Sequence, residues 1–389
     1  MNQQLFSKTQ NVIARVFYKA KEEKIFNSDH RFAHVTYYKI GNVGDTVLSQ
    51  CVRRTIQTID EKKGWKLISL KSPVTDRTID QINKCDALII GGGGLFIPDT
   101  NKNNISGWQW SVTTDQINRI EVPIIVYSVG YNYFRGQSGN VIFEESIKNL
   151  VERSAFIGLR NHGSITKINE ILGNKNKDKI VFQPCTTTLI RKIYSGIPQK
   201  YDTKRVAINI AFDREDYRFG NNQEKILKGI AKAINEIGQK GYELVYVAHC
   251  KSDLRFLICL NEIGCRYEVK DLSYSYPHKV FEFYNSIDVA IGMRGHAQMI
   301  PFGLNCEIIS LCSHDKMKWF LEDIDATDWG IELNEDIDNL SERILNKFEV
   351  IHERNRKDTI ERLNNAQQEL MTITEANNSV IRSIIEKRV

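Results

Sequence analysis

Short apolar runs recur along the chain, each followed by a glycine-rich or polar turn and then by a stretch with helical spacing. In the first half the runs Ala33–Ile40, Trp65–Leu70, Asp86–Ile90, Pro123–Val129, Ala155–Leu159 and Ile180–Phe182 read as strands. Helical spacing follows over Thr46–Ile59 and from Ser164 to Leu172. A polar segment, Ser195–Lys204, contains Gly196 and Pro198 and reads as a linker. Beyond it the alternation resumes, with strands at Arg205–Ala211, Tyr242–Ala248, Tyr267–Val269, Ile287–Ile291 and Glu307–Leu311. Helices are expected at Gln223–Ile237, Asp253–Leu260, His278–Tyr284 and Met317–Leu321. Strands that are nearly all apolar and alternate with helices predict parallel sheets covered on both faces.

The expected fold class is therefore α/β, with two doubly wound, Rossmann-like domains facing a cleft. Residues 1–195 would form the first domain and 205–330 the second. The charged segment 331–389 is expected to be a helical tail packing across both. A chain of 389 residues suits two cores better than one. Ligand sites favour the interface between two such domains. Residues 1–30 read as an amphipathic helix, with Leu5, Phe6, Val12, Ile13, Val16 and Phe17 near helical spacing among lysines. Such a helix either packs on its own domain, the expected outcome, or makes peripheral contact with an anionic membrane.

Composition changes this picture little. The chain is 41% hydrophobic and 26% charged, and its net charge of +5 is spread without a basic block. No lysine–arginine stripe interleaves with aromatics, so nucleic acid is not an expected partner, whereas anionic ligands are mildly favoured. None of the eight cysteines forms a Cys-x-x-Cys pair, and several fall in apolar runs. They are expected to be buried thiols in a reducing compartment. No signal-peptide pattern is present, and no apolar run approaches the roughly 18 residues of a membrane span. The expected location is the cytoplasm, with the inner face of the membrane as the place of any peripheral contact. No His, Cys, Asp or Glu cluster has metal-ligand spacing, and no feature specifies an oligomer.

Chemistry concentrates in the turns after strands. Gly292-Met293-Arg294-Gly295-His296 joins a strand to a helix, where open α/β sheets place their ligands. Arg294 can fork onto a carboxylate or phosphate, and His296 can carry a proton near neutral pH. The same residues also suit a cap glycine, a surface arginine and a core histidine. Gly41-Asn42-Val43-Gly44-Asp45 is a second strand–turn–helix junction, in which Asp45 either caps the helix or faces a ligand. Four glycines, Gly91 to Gly94, follow a buried strand, so the backbone turns sharply or approaches something closely. Phe96 stands where a dinucleotide fingerprint wants a small residue, which speaks against a nicotinamide cofactor. Trp108 and Trp110 suit either sugar stacking or packing. Arg160 and His249 each follow a strand end.

Taken in order, Gly41–Asp45, Gly91–Phe96, Arg160-Asn161-His162-Gly163-Ser164, Gly292–His296 and Lys316 resemble the polysaccharide pyruvyl transferase family over roughly residues 34 to 322. Two positions depart from the family pattern: Asn161 replaces the usual aspartate, and Gly295 replaces a bulkier residue, which leaves the donor pocket roomier. The resemblance implies a GT-B-like fold and transfer of a pyruvyl group from phosphoenolpyruvate to hydroxyls of a saccharide, closing a ketal. The acceptor it implies is a cell-surface polysaccharide or its precursor, free or lipid-linked. No cofactor is implied beyond phosphoenolpyruvate as co-substrate.

On this reading Arg294, Gly295, Lys316, His249 and Arg160 hold the donor. His296 is the expected acid that protonates the enol methylene, and Asp45 the base on the acceptor side. Asn42, Gly44, Gly92, Gly93, Trp108 and Trp110 are the expected acceptor-side residues. Two rivals remain at this level: a GT-B-type glycosyltransferase whose cations hold the diphosphate of a nucleotide sugar, and a non-catalytic sugar or phosphate binder.

Overall fold

A computed structural model describes residues 30–38, 41–57, 64–173, 177–200 and 202–387. The helix expected over residues 1–30 lies outside them, except for His30, which opens the first strand. Six strands form the first sheet: β1 (His30–Thr36), β2 (Gly64–Ser69), β3 (Ala87–Phe96), β4 (Ile124–Tyr131), β5 (Ser154–Leu159) and β6 (Ile180–Phe182). Their order is β2-β1-β3-β4-β5-β6, all parallel. The second sheet contains β7 (Arg205–Asn209), β8 (Glu243–Ala248), β9 (Glu268–Asp271), β10 (Val289–Gly292), β11 (Glu307–Cys312) and β12 (Gly330–Glu332). It is ordered β12-β11-β10-β7-β8-β9, again all parallel. The first order is that of flavodoxin-like sheets and the second that of dinucleotide-binding sheets; both are doubly wound.

Burial explains the patterning. β10 and β11 are buried along their whole length, as parallel strands covered on two faces must be. The edge strand β9 is mostly exposed and carries Glu268, Lys270 and Asp271, charges that discourage edge-to-edge pairing. The glycine run does not end its strand. β3 continues through it to Phe96, and the close approach is to β4, because a side chain at Gly91 would collide with the Tyr127 carbonyl. Helices at Asp76–Asn83, Thr114–Asn118 and Val141–Arg153 are additional to those read from the pattern. Their N-caps are Thr75, Thr113 and Asn140, each accepting an amide hydrogen bond.

The two faces of the first sheet have different fates. Leu88 and Ile90 point into a cluster with Trp108, Trp110 and Phe143, confined to the first domain. Ile89 points the other way, into a core continuous with the second domain and with Leu363, Leu370 and Ile381 of the tail. The segment 331–389 forms a short helix, Leu340–Phe348, and then a long one, Arg356–Glu386, which at roughly 45 Å can reach both domains. Near its start Gln367 donates to the Phe302 carbonyl at 2.5 Å in the second domain. Further on, Asn377 donates to the Phe182 carbonyl at 2.9 Å. Asn378 accepts from the Tyr127 hydroxyl at 2.9 Å and donates to the Thr55 carbonyl at 3.2 Å. The helix thus holds the domains on the side of Thr55, Tyr127 and Phe182.

Replacing Asn378 by alanine leaves the buried Tyr127 hydroxyl without its acceptor. Asn378→Ala is expected to destabilise the protein by about 1–3 kcal/mol, the penalty for one unsatisfied buried hydroxyl. The check is the urea unfolding midpoint against that of Asn378→Gln.

Candidate active site

In each sheet the strand order reverses at one place, between β1 and β3 and between β7 and β10. Ligands of doubly wound sheets bind in the crevice outside the strand ends at such points. Here the two crevices are one space. Gly41, Asn42 and Asp45 after β1 and Gly92 and Gly94 of β3 face Asp213, Arg214 and Arg218 after β7 and Arg294 to His296 after β10. Together with Arg160, His249 and Lys316 they line a cavity of about 700 Å³.

The domains meet closely around it. The Val43 amide donates to the His249 carbonyl at 3.2 Å, and Gly44 lies so close to the His296 imidazole that a methyl group there would collide with it. At the rim Arg214 donates to both carboxylate oxygens of Asp99, at 2.8 and 2.6 Å. Arg135 of the first domain reaches Asp315 and Glu332 of the second, at 2.5 and 3.2 Å.

Among the described residues five cations line the cavity, and three of them are paired. Arg294 does not offer its fork to the cavity: Nε and Nη2 lie on Asp253 at 2.9 and 2.6 Å, and Nη1 on Asp213 at 2.7 Å. Arg218 also donates to Asp213, at 2.9 Å, and Arg214 is held by Asp99. Burial raises the pKa of Asp213, but Arg218, Arg294 and Lys316 outweigh it and hold the carboxyl well below the usual range.

Arg160 and Lys316 differ. Arg160 is 6% exposed, and its Nε has no hydrogen-bond partner among the described residues. Space for its guanidinium exists because Gly130 has no side chain. Lys316 makes no ion pair among the described residues, and burial with the charges of Arg160 and Arg218 pushes its pKa well below the ordinary lysine value.

The titratable groups are shifted toward neutrality. Burial pushes Asp45 up to about 6, against the pull of Lys316, Arg294 and Arg160. Burial, then Arg160 and Lys316, hold His296 well below 6.5. His296 Nε2 lies 3.8 Å from the Cys185 thiol. His249 is wholly buried, bonded through Nε2 to the Tyr284 hydroxyl at 2.6 Å, and lowered to about 4 by burial.

Asp45 does not cap its helix. The helix starts at Val43, two residues before Asp45, and it is Asn42 Oδ1 that accepts the Gly44 amide at 3.0 Å. Asn161 caps the helix His162–Leu172 by accepting the Ser164 amide at 2.7 Å, the bond an aspartate would make there.

The structure thus brings His296, Asp45, Arg294, Gly295, Lys316, His249 and Arg160 to one cavity, with Asn42 and Gly92 at its border. Gly44 and Gly93 sit beside it in packing roles, against His296 and Leu48. Trp108 and Trp110 require a correction. Both are wholly buried in the outer core of the first domain, edge-on to each other, with Trp108 Nε1 donating to Ser146 Oγ at 3.0 Å. They cannot stack on a sugar. Asp213, Arg214, Arg218 and Asp253 were not singled out by sequence, although the first three follow β7 at the reversal point. Among the described residues no cluster of His, Cys, Asp and Glu is arranged to hold a metal ion.

Two facing doubly wound sheets, a shared polar cavity and a tail helix crossing both domains define a GT-B-like architecture. The model of the polysaccharide pyruvyl transferase family matches residues 15–315, and the chain belongs to that family. Solved structures share the fold at low identity. UDP-N-acetylglucosamine 2-epimerase from Rickettsia bellii is 14% identical with a TM-score of 0.53, covering 92% of this chain and 97% of its own. A putative UDP-N-acetylglucosamine 2-epimerase from Listeria monocytogenes is 9% identical with a TM-score of 0.53, covering 85% and 91%. The S. aureus MnaA–UDP co-structure is 13% identical with a TM-score of 0.50, covering 83% and 89%. A search of curated proteins returns no match.

An unpaired buried cation is costly to the empty protein and useful only when an anion arrives. Arg160→Met is therefore expected to stabilise the unliganded protein by about 1–3 kcal/mol and to abolish its stabilisation by inorganic phosphate. Thermal unfolding of both proteins, with and without phosphate, checks this.

Proposed function

We propose that this protein transfers the pyruvyl group of phosphoenolpyruvate to two hydroxyls of a saccharide, releasing phosphate and closing a cyclic ketal. The observation that carries the reading is the pair Arg160 and Lys316, unpaired cations facing His296 and Asp45 in a cavity of a pyruvyl transferase family member. Phosphoenolpyruvate brings a phosphate and a carboxylate, which suits two cations without carboxylate partners. Arg294, already clamped by Asp253 and Asp213, contributes charge and shape from one fixed position.

Burial and the charges of Arg160 and Lys316 disfavour the protonated form of His296. A bound donor offsets those cations and raises the imidazole pKa, so the substrate itself prepares the acid. His296 then protonates the enol methylene carbon, and C2 becomes electrophilic. A saccharide hydroxyl adds to C2 as Asp45 takes its proton. Phosphate leaves with the C2–O bond electrons, and a second hydroxyl adds to close the ketal. One of the two hydroxyl protons replaces that spent on the methylene; the other departs with phosphate. The transfer is redox-neutral and requires no further cofactor. A phosphoenolpyruvate donor would favour the cytoplasm as the site of the reaction. Among the described residues no helix is long and apolar enough to cross a membrane.

Thermal unfolding with phosphoenolpyruvate, UDP, CMP and GDP tests the donor. At 100 times its dissociation constant a ligand adds roughly 2.7 kcal/mol to stability. A shift with phosphoenolpyruvate that disappears in Arg160→Met supports pyruvyl transfer, whereas a shift confined to nucleotides overturns it in favour of a nucleotide-sugar donor. Replacing His296 by glutamine should lower phosphate release to a saccharide acceptor by about 10²–10⁴-fold while donor binding survives.

The pH profile follows from Asp45 and His296. In the free protein the acid must be protonated and the base ionised, yet His296 lies well below 6.5 while Asp45 lies at about 6. Above that pH Asp45 is ionised and the protonated fraction of His296 keeps falling, so kcat/KM should drop about tenfold per unit; just below it the two fractions change in opposite directions and the profile should level. Asp45→Asn should remove this break along with most of the activity; an unchanged break would remove Asp45 from the mechanism.

A further inference from the structure

We propose that His314 is a positioning residue that ties closure of the two domains to the placement of Lys316. Its kinetic readout rests on the pyruvyl-transfer reading; its structural readout does not. His314 follows β11 and is wholly buried. Its Nδ1 accepts the Lys316 amide at 3.2 Å, which makes it the N-cap of the helix Asp315–Asp323. Its Nε2 lies 3.3 Å from the Asn132 carbonyl, which belongs to the other domain.

These two partners have opposite polarity. A carbonyl only accepts, so Nε2 must carry a proton; an amide N–H only donates, so Nδ1 must be bare. A single tautomer of the neutral ring satisfies both. Burial, then the charges of Lys316 and Arg218, favour that neutral form. Phe134, two residues beyond Asn132, packs on the imidazole with ring centroids 4.0 Å apart. Arg214 and Arg218 sit over the same phenyl ring at 5.2 and 5.1 Å. Segment Asn132–Phe134 of the first domain is thus seated against the start of the helix that carries Lys316.

Separation of the domains removes both the Asn132 carbonyl and Phe134 from His314. The ring would then be wetted, and its bond to the Lys316 amide would become one polar contact in water, worth little. In the closed state the ring is held on three sides, and Lys316 is presented from a fixed turn. His314 is accordingly a strut: it contacts neither donor nor acceptor and acts through Lys316.

The test uses full-length His314→Asn and His314→Ala. Asparagine accepts an amide hydrogen bond at an N-cap but is too short to span to the Asn132 carbonyl as well. For His314→Asn the expected result is a thermal midpoint near wild type, a donor KM within about twofold, and a kcat lowered about tenfold or more. Small-angle X-ray scattering should show a larger radius of gyration. His314→Ala loses the cap too and should also raise the donor KM by about tenfold.

Wild-type kcat and wild-type scattering in His314→Asn overturn the proposal. So does lost activity with only a lowered thermal midpoint and unchanged scattering, the pattern of a residue that merely supports the fold. If wild-type protein fails to turn over phosphoenolpyruvate, the pyruvyl-transfer reading fails. Scattering of wild type and His314→Asn, with and without inorganic phosphate, still decides the strut.

Discussion

Keeping positive charge buried at a junction between two domains is the constraint on which this structure turns. Arg160 and Lys316 line the cavity between the domains, and neither makes an ion pair with a carboxylate among the described residues. Left alone, such charges would draw water in and push the domains apart. The protein counters with bonds placed away from the charges: Arg214 on Asp99, Arg135 on Asp315 and Glu332, and the tail helix on Thr55, Tyr127 and Phe182. Cohesion is distributed around the rim and far side, and the cations without ion-pair partners are kept at the cavity.

Backbone proximity makes the arrangement possible. Gly44 lets the first helix approach the His296 ring, Gly130 leaves room for the Arg160 guanidinium, and Gly94 leaves room for the Asn132 amide. Each is a place where one atom group from another loop occupies the volume a side chain would take. These glycines therefore shape the cavity by admitting neighbouring side chains. That differs from the role usually given to glycines after a strand, which is to let phosphate approach the backbone.

Much of the architecture was legible in the chain because parallel strands buried on two faces must be apolar throughout. β5, β8, β10 and β11 all fall where the apolar runs place them. The boundaries that moved did so for local reasons. Asn42, not Asp45, accepts the amide at the start of its helix, so the helix begins earlier. The glycine run continues as strand because β4 supplies ladder partners on one side. Helices such as Val141–Arg153 carry clear caps but modest apolar stripes, and their pattern is submerged among polar residues.

At the site, the residues with unusual local settings stood out: an arginine and histidine in a glycine-flanked turn, an arginine after a strand, and an acid beside two glycines. Asp213, Arg218 and Asp253 did not, because ordinary charged residues in a charged chain carry no local mark. The two tryptophans show the converse: an indole in a polar loop looks like a sugar platform until the loop folds onto its own sheet.

The sequence by itself determined the strand–turn–helix alternation, the two-sheet architecture and the set of turns that line the cavity, because these depend on neighbours within a few residues. Only the tertiary structure decided which charges are paired, that Arg294 is clamped while Arg160 and Lys316 are not, and which way each pKa moves. Those properties come from groups distant in the chain, such as Asp253 and Arg294 at 41 residues apart, meeting where water is scarce, and pairing and desolvation are set by distance in space rather than along the chain.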